Sequence, residues 1–219
     1  MKAQPKATRK TRRVARRVKR KKSVRVARRI ARPKVHRVPK RPVAKPVEGL
    51  ILGNGTPRSE ALAAAKRLVG LTGGFVDDSF LRHILVVTAT GPRTTTTKAR
   101  FVTAIFSWLK AAGKASRTAT PQPGDLAFFR GTSDLDGDGK LDAGLTMAAV
   151  VERRLPDGVV VCIGPVLGRV KRFHVDPTRP TVQRSEVTTR QVNDVIRPRA
   201  LGDTKPGLAG ALWAGYARL

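Results

Sequence analysis

Only one cysteine, Cys162, occurs in the 219 residues. An internal disulfide framework and any metal site built on several cysteines are thereby excluded. No stretch approaches the roughly 18 consecutive apolar residues that a membrane-spanning helix needs. Acidic residues are scarce, 15 Asp and Glu against 45 Lys and Arg, a formal charge of +30. That imbalance disfavours small cationic partners and points to a polyanion, whether nucleic acid, an acidic membrane surface or an anionic polymer.

The scarcity of acid is greatest at the N-terminus. Residues 1–45 hold 21 Lys or Arg, no Asp or Glu and no Phe, Tyr or Trp, and the first acid is Glu48. Residues 46–219 hold the other 45 − 21 = 24 basic residues and all 15 acids, a net of +9. Self-repulsion of the first segment is not offset by burial, so residues 1–48 are expected to be disordered when free. Residues 49–219, with most of the chain's apolar content, are expected to fold. The pairs Arg12-Arg13 and Arg16-Arg17 are twin arginines, but the apolar run of a secretory signal does not follow them.

Within the tail, no proline occurs between Pro5 and Pro33, and Val14, Val18, Val26 and Ile30 fall at helical spacings. A phosphate backbone that neutralised Arg12, Arg13, Arg16, Arg17, Lys19, Arg20, Lys21, Lys22, Arg25, Arg28, Arg29 and Arg32 would let this half become a basic helix. Pro33, Pro39, Pro42 and Pro46 then favour extended, polyproline-like chain. Contact is expected to be independent of base sequence, made with phosphates of DNA or RNA. The composition resembles the tails of linker histones and bacterial histone-like proteins.

From residue 50 onward, turn chemistry sets the elements. Thr56-Pro57 reads as an N-cap with proline at the first helical position, and Gly70 as the stop of that helix. Phe80–Val87 is ambiguous between helix and buried strand. Residues 98–112 form the clearest helix, with Phe101, Ala104, Ile105, Trp108 and Leu109 on one face and Gly113 at its end. DLAFF after Pro121 and Pro123, then TMAAVVERR, VVVCI and RVKRFHV, read as strands. The last three form an antiparallel meander whose tightest turn is Asp157-Gly158. GLAGALWAGYARL reads as a short helix or strand on the core. Helices before strands imply an α+β fold.

The run PQPGDLAFFRGTSDLDGDGKLDAGLTMAAVVERRLPDGVVVCI resembles the second half of cell-wall peptidases of the NlpC/P60 and CHAP group, over roughly residues 58 to 219 and most closely from 121 to 180. The resemblance implies a papain-like fold with helices packed on an antiparallel sheet. It also implies a thiolate nucleophile, a histidine base and a polar residue orienting that base. Aligning the family's nucleophile motif with LTGGFVDDSFLRHIL places Asp77, Ser79 or Thr72 at the cysteine position, Asp77 being the preferred match. Met147 takes the place of the histidine, and the third position falls near Ile163 or Gly164. The triad is therefore expected to be lost, with Asp77, Met147 and Gly164 at its positions, and the domain to be non-catalytic. An active peptidase would have to use a rebuilt pair such as Cys162 and His174. Cys162 in VVVCI otherwise reads as a small buried hydrophobe, and His83 and His174 as satisfied histidines.

The loop from Asp134 to Asp142 places Asp134, Asp136, Asp138 and Asp142 at positions 1, 3, 5 and 9 of a calcium loop, with Gly139 at position 6. Leu145 stands where the bidentate glutamate belongs, so calcium would bind weakly and no cofactor is required. The other reading is a set of Asx turns. Arg153, Arg154, Arg169, Lys171 and Arg172 gather around the meander and would extend a nucleic-acid footprint or form a solvated edge. Together these features point to a nucleoid-associated, cytoplasmic nucleic-acid-binding protein with a degenerate peptidase-like domain. The alternatives are an envelope protein whose tail binds anionic polymer or the membrane surface, and a scaffold whose tail neutralises packaged nucleic acid.

Overall fold

The computed structural model describes residues 55–73, 78–92, 98–118, 120–134, 138, 140–197 and 207–219, all within the unit Pro42–Leu219. The elements in chain order are α1 (Pro57–Leu68), α2 (Asp78–Val87), α3 (Lys98–Ala111), β1 (Ala115–Ser116), β2 (Leu126–Arg130) and β3 (Leu145–Arg154). They continue with β4 (Val160–Val166), β5 (Arg169–Val175), β6 (Val195–Arg197), β7 (Gly207–Leu208), α4 (Ala209–Leu212) and β8 (Trp213–Ala217). Among them no helix is long and apolar enough to cross a membrane.

The helices begin and end where local chemistry directs. The Thr56 hydroxyl accepts from the Ser59 N–H, with Pro57 in the first turn. Gly70 follows the helix at φ +95°, and its N–H and the Leu71 carbonyl pair with Val170 on β5. The ambiguous segment from Phe80 is helical, because Phe80, Leu81, Ile84 and Leu85 repeat at three and four and are all buried. α3 closes in a Schellman motif: Lys114 N–H donates to Leu109 O, Gly113 N–H donates to Lys110 O, and Gly113 has φ +67°. Its buried face differs from the expected one. Val102, Ile105 and Leu109 are fully buried, whereas Trp108 is 36% exposed.

Six strands form one antiparallel sheet in the order β1-β8-β2-β3-β4-β5, and β6 pairs with β7 separately. The C-terminal strand β8 is inserted between β1 and β2. The meander β3-β4-β5 is present, but its tightest turn is not Asp157-Gly158. Five residues, Leu155–Val159, join β3 to β4, while only Leu167-Gly168 joins β4 to β5, with φ +53° and +79°. Those are the dihedral signs of a type I′ turn.

The sheet separates two apolar layers. Leu126, Phe128, Ala148, Val150, Ile163 and Val170 face α1–α3. Ala127, Phe129, Met147, Val151, Cys162 and Phe173 face the other way, with Ile196 and Ala209 packed on them. Residues 176–197 help cover this second layer. Asn193, fully buried, holds them by donating to Arg179 O and Val182 O and accepting from Asp176 N–H. The architecture is thus α+β with a mostly antiparallel sheet.

Candidate functional site

Of the expected triad positions, Met147 and Gly164 are described and Asp77 lies outside the described residues. Met147 and Gly164 belong to the layer turned away from α2: Met147 packs with Phe129 in that layer, and a Cβ on Gly164 would stand 2.7 Å from the Ala149 Cβ. The two other registers fall on described residues. Thr72 is exposed and bridges Arg169 beside β5, and Ser79 lies in the first turn of α2 next to buried Asp78, which Arg82 pairs from one turn on.

Cys162 and His174 are not a pair. Cys162 stands opposite Phe173 and His174 opposite Val161, so the two side chains leave opposite faces of the sheet. Burial, reinforced by the Glu152 charge, pushes the Cys162 thiol far above its ordinary range, so it stays protonated at neutral pH. His174 is held instead by Asp194, whose Oδ2 accepts from the His174 N–H at 2.7 Å and lies 2.9 Å from Nδ1. His83 is half-buried, and desolvation lowers its pKa.

In the acidic loop, Asp138 Oδ1 accepts from Lys140 N–H at 2.8 Å, an Asx turn, and Asp142 N–H donates to Ser133 O. Asp134 is half-buried, and Asp136 and Gly139 lie outside the described residues. Among the described residues no group of three or more His, Cys, Asp or Glu is placed to hold a metal ion. The twelve tail residues from Arg12 to Arg32 also lie outside the described residues.

The basic cluster of the meander is partly neutralised. Buried Glu152 takes a forked contact from Arg172, with Nε 2.8 Å from Oε2 and Nη2 3.0 Å from Oε1, and a third bond from Arg153. Burial alone would raise the Glu152 carboxyl, but Arg172, Arg153 and Lys66 outweigh it and hold the group below its ordinary value.

A different polar concavity emerges where α1, β2 and β8 meet. Gly124, at φ +89°, approaches α1 so closely that a Cβ there would stand 2.2 Å from Arg58 O. This contact seats Asp125 under Arg58. The Asp125 Oδ2 accepts from Gln122 N–H at 2.8 Å, and Oδ1 lies 2.7 Å from Arg58 Nε, an ion pair without hydrogen-bond alignment. Burial raises the Asp125 carboxyl, and the Gln122 N–H, Arg58 and Arg218 only partly restore it. The pocket, about 350 Å³, is lined by Arg58, Lys114, Ser116, Gln122, Tyr216 and Arg218 among others. A shallower depression continues from Arg58, Lys114 and Arg218 over Thr56 and Pro57. One side-chain carboxylate against three side-chain cations leaves this surface positive, so that it can receive an anion.

Sequence reasoning did not single out Arg58, Lys114, Arg218 or Tyr216 for this role. They are separated along the chain by up to 160 residues (Arg58 to Arg218), and only the insertion of β8 beside β2 unites them. The one local signal was Asp125 in the turn after two prolines. No protein-family model matches the chain, and neither a curated protein nor a solved structure matches it.

Proposed function

We propose that the protein binds nucleic acid without sequence preference, through the phosphate backbone, and that its folded domain is non-catalytic. The observation that carries the reading is the tail itself: 21 Lys or Arg and no acid in residues 1–45. Such a segment gains affinity by releasing condensed counterions from a polyanion, which needs charge density and no fixed shape. The positive concavity at Arg58, Lys114 and Arg218 adds a second anion-accepting surface on the domain. The non-catalytic part of the reading is supported by the fully buried Cys162 and by its separation from His174. On the papain-like resemblance, the domain is a degenerate member that serves as a spacer, an oligomerisation unit or a peptide-binding module, and the protein is nucleoid-associated.

The test compares the full chain with residues 49–219 on a random 30-base-pair duplex. Binding by the full chain that is lost without the tail is the expected result. Failure of both proteins to bind at low salt would sink the nucleic-acid reading and move the search to anionic envelope polymers. Hydrolysis of a peptidoglycan stem peptide that disappears in Cys162→Ala would overturn the non-catalytic assignment.

A further inference from the structure

A second depression lies beside the concavity at Arg58, and Ser116 of β1 borders both. Its volume is about 400 Å³. Lys110 of α3, Arg117 just after β1 and Arg130 at the end of β2 line it together with Phe106, Ala115 and Leu145. The three cations are exposed, and Phe106, Ala115 and Leu145 are half-buried, so each keeps surface to offer a ligand. No Asp or Glu is among the described residues that line the depression. Among the described residues, none of Lys110, Arg117 and Arg130 forms an ion pair. The Arg117 guanidinium stands 6.0 Å from the Trp213 ring, a distant contact.

The apolar part of the depression is held by the sheet. Phe106 stands one turn before Lys110 on α3. Its ring meets that of Phe128 in a T-shaped contact with centroids 4.9 Å apart, and a Cβ on Gly215 would come within 3.3 Å of it. The ring therefore rests on β2 and β8. Arg130 and Leu145 are cross-strand partners, which sets a cation beside an apolar wall.

Three unpaired cations with no acid among them call for an anion. The apolar surface between them is poorly matched to a bare, hydrated ion and suits a ligand that carries a flat apolar group next to its charge. Lys114 and Arg218, also without an ion pair among the described residues, continue the positive surface into the neighbouring concavity. A lipid phosphate has charge at one end, whereas a nucleic-acid strand presents a phosphate at every nucleotide and a base between. In a duplex the base faces are hidden in the stack, and in a single strand they are free to pack on an aromatic ring.

We propose that the folded domain binds single-stranded nucleic acid across β1, with one base packed against Phe106 and the flanking phosphates taken by Lys110, Arg117 and Arg130. The choice of nucleic acid among polyanions rests on the reading above; the depression itself does not depend on the tail.

The experiment uses the full chain and two fluorescently labelled eight-unit strands of equal charge, one of thymidine and one of abasic spacers. The tail contacts phosphates and meets the two alike, so the ratio of their affinities, measured by anisotropy at one ionic strength, reports the base. The thymidine strand should bind at least about fivefold more tightly, the effect of one stacked base. Phe106→Leu keeps an apolar side chain against Phe128 but removes the ring, and should bring the ratio near one; a melting curve checks that this variant is folded at the assay temperature. Lys110→Gln combined with Arg130→Gln alters two exposed, unpaired side chains and so leaves the packing alone. It should also lower the ratio, because the strand is no longer held over Phe106, and it decides the matter if Phe106→Leu does not fold. Equal affinities of the unaltered chain for the two strands would overturn the proposal and leave the depression to an anion without a base, such as a lipid phosphate. A ratio unchanged in folded Phe106→Leu or in the double variant would overturn it as well. Duplex binding, measured separately, keeps the two readings apart. Equal affinities with duplex binding intact remove the single-strand site and keep the tail reading, and a base-dependent ratio without duplex binding does the reverse.

Discussion

Glu152 shows how single carboxylates couple this domain to pH. Arg172 and Arg153 hold its pKa below the ordinary 4.5, and Thr178 and Arg179 hold that of Asp176 below the ordinary 3.8, against burial that pushes both up. A carboxylate depressed on folding adds stability above its unfolded pKa, and that stability is lost as pH falls through the folded value. Asp125 is raised above 3.8 by burial, so its contribution has the opposite sign, present in acid and lost as pH rises through its folded pKa. Melting temperature measured from pH 6 down to pH 2 should therefore begin to fall near pH 4.5. In Glu152→Gln it should start lower at neutral pH and fall less steeply; an unchanged profile would show that the Arg172 fork contributes nothing. Two further residues hold strained backbone. Ala89, at φ +49°, occupies the left-handed position that ends α2, and Leu167, at φ +53° and 55% exposed, leads the β4–β5 turn. Ala89→Gly and Leu167→Asn should each stabilise by about 1 kcal/mol, a rise of roughly 2–4 °C in melting temperature. A fall in either would mean that the native side chain packs in a way that outweighs its strain.

The elements that could be read from sequence are those whose ends are written in local chemistry. Thr56-Pro57, Gly70 and Gly113 fix helix ends through the chain beside them, and the strands of the meander follow from apolar runs between turn residues. What escaped was decided by distant contacts. Leu167-Gly168 carries no asparagine or aspartate to announce a type I′ turn, and it is set by the pairing of β4 with β5. The buried face of α3 includes Val102 and excludes Trp108 because of how the helix seats on the sheet. The concavity at Arg58 depends on a non-local approach, and Gly124 tests it. Gly124→Ala meets the Arg58 backbone as well as a left-handed φ, whereas Gly113→Ala at φ +67° meets nothing within 4 Å. Gly113→Ala should cost about 1 kcal/mol, the backbone strain alone. Gly124→Ala should cost at least about 3 kcal/mol and loosen the seat of α1. Equal urea midpoints for the two variants would refute the close approach as the reason for glycine at position 124.

At the scale of the whole molecule, charge is divided unevenly along the chain. The folded part pairs some of its cations: Arg58 with Asp125, Arg82 with Asp78, Arg153 and Arg172 with Glu152, and Arg179 with Asp176. With a net of +9 over residues 46–219 against +21 over residues 1–45, most uncompensated charge lies ahead of the domain. The two surfaces should therefore differ in salt dependence. Each phosphate relieved of its counterion contributes about −0.9 to the slope of log affinity against log salt. If all twelve basic residues from Arg12 to Arg32 named above engage a duplex, the slope approaches about −11. Replacing Arg12, Arg13, Arg16 and Arg17 by serine should reduce its magnitude by roughly 3–4 units. Affinity should fall to the same extent on duplexes of unrelated sequence, since phosphate contacts carry no base information. A loss confined to one sequence would mean that the tail reads base edges. An unchanged slope would place the duplex contact elsewhere, on the concavity between α1 and β8 or farther along the tail.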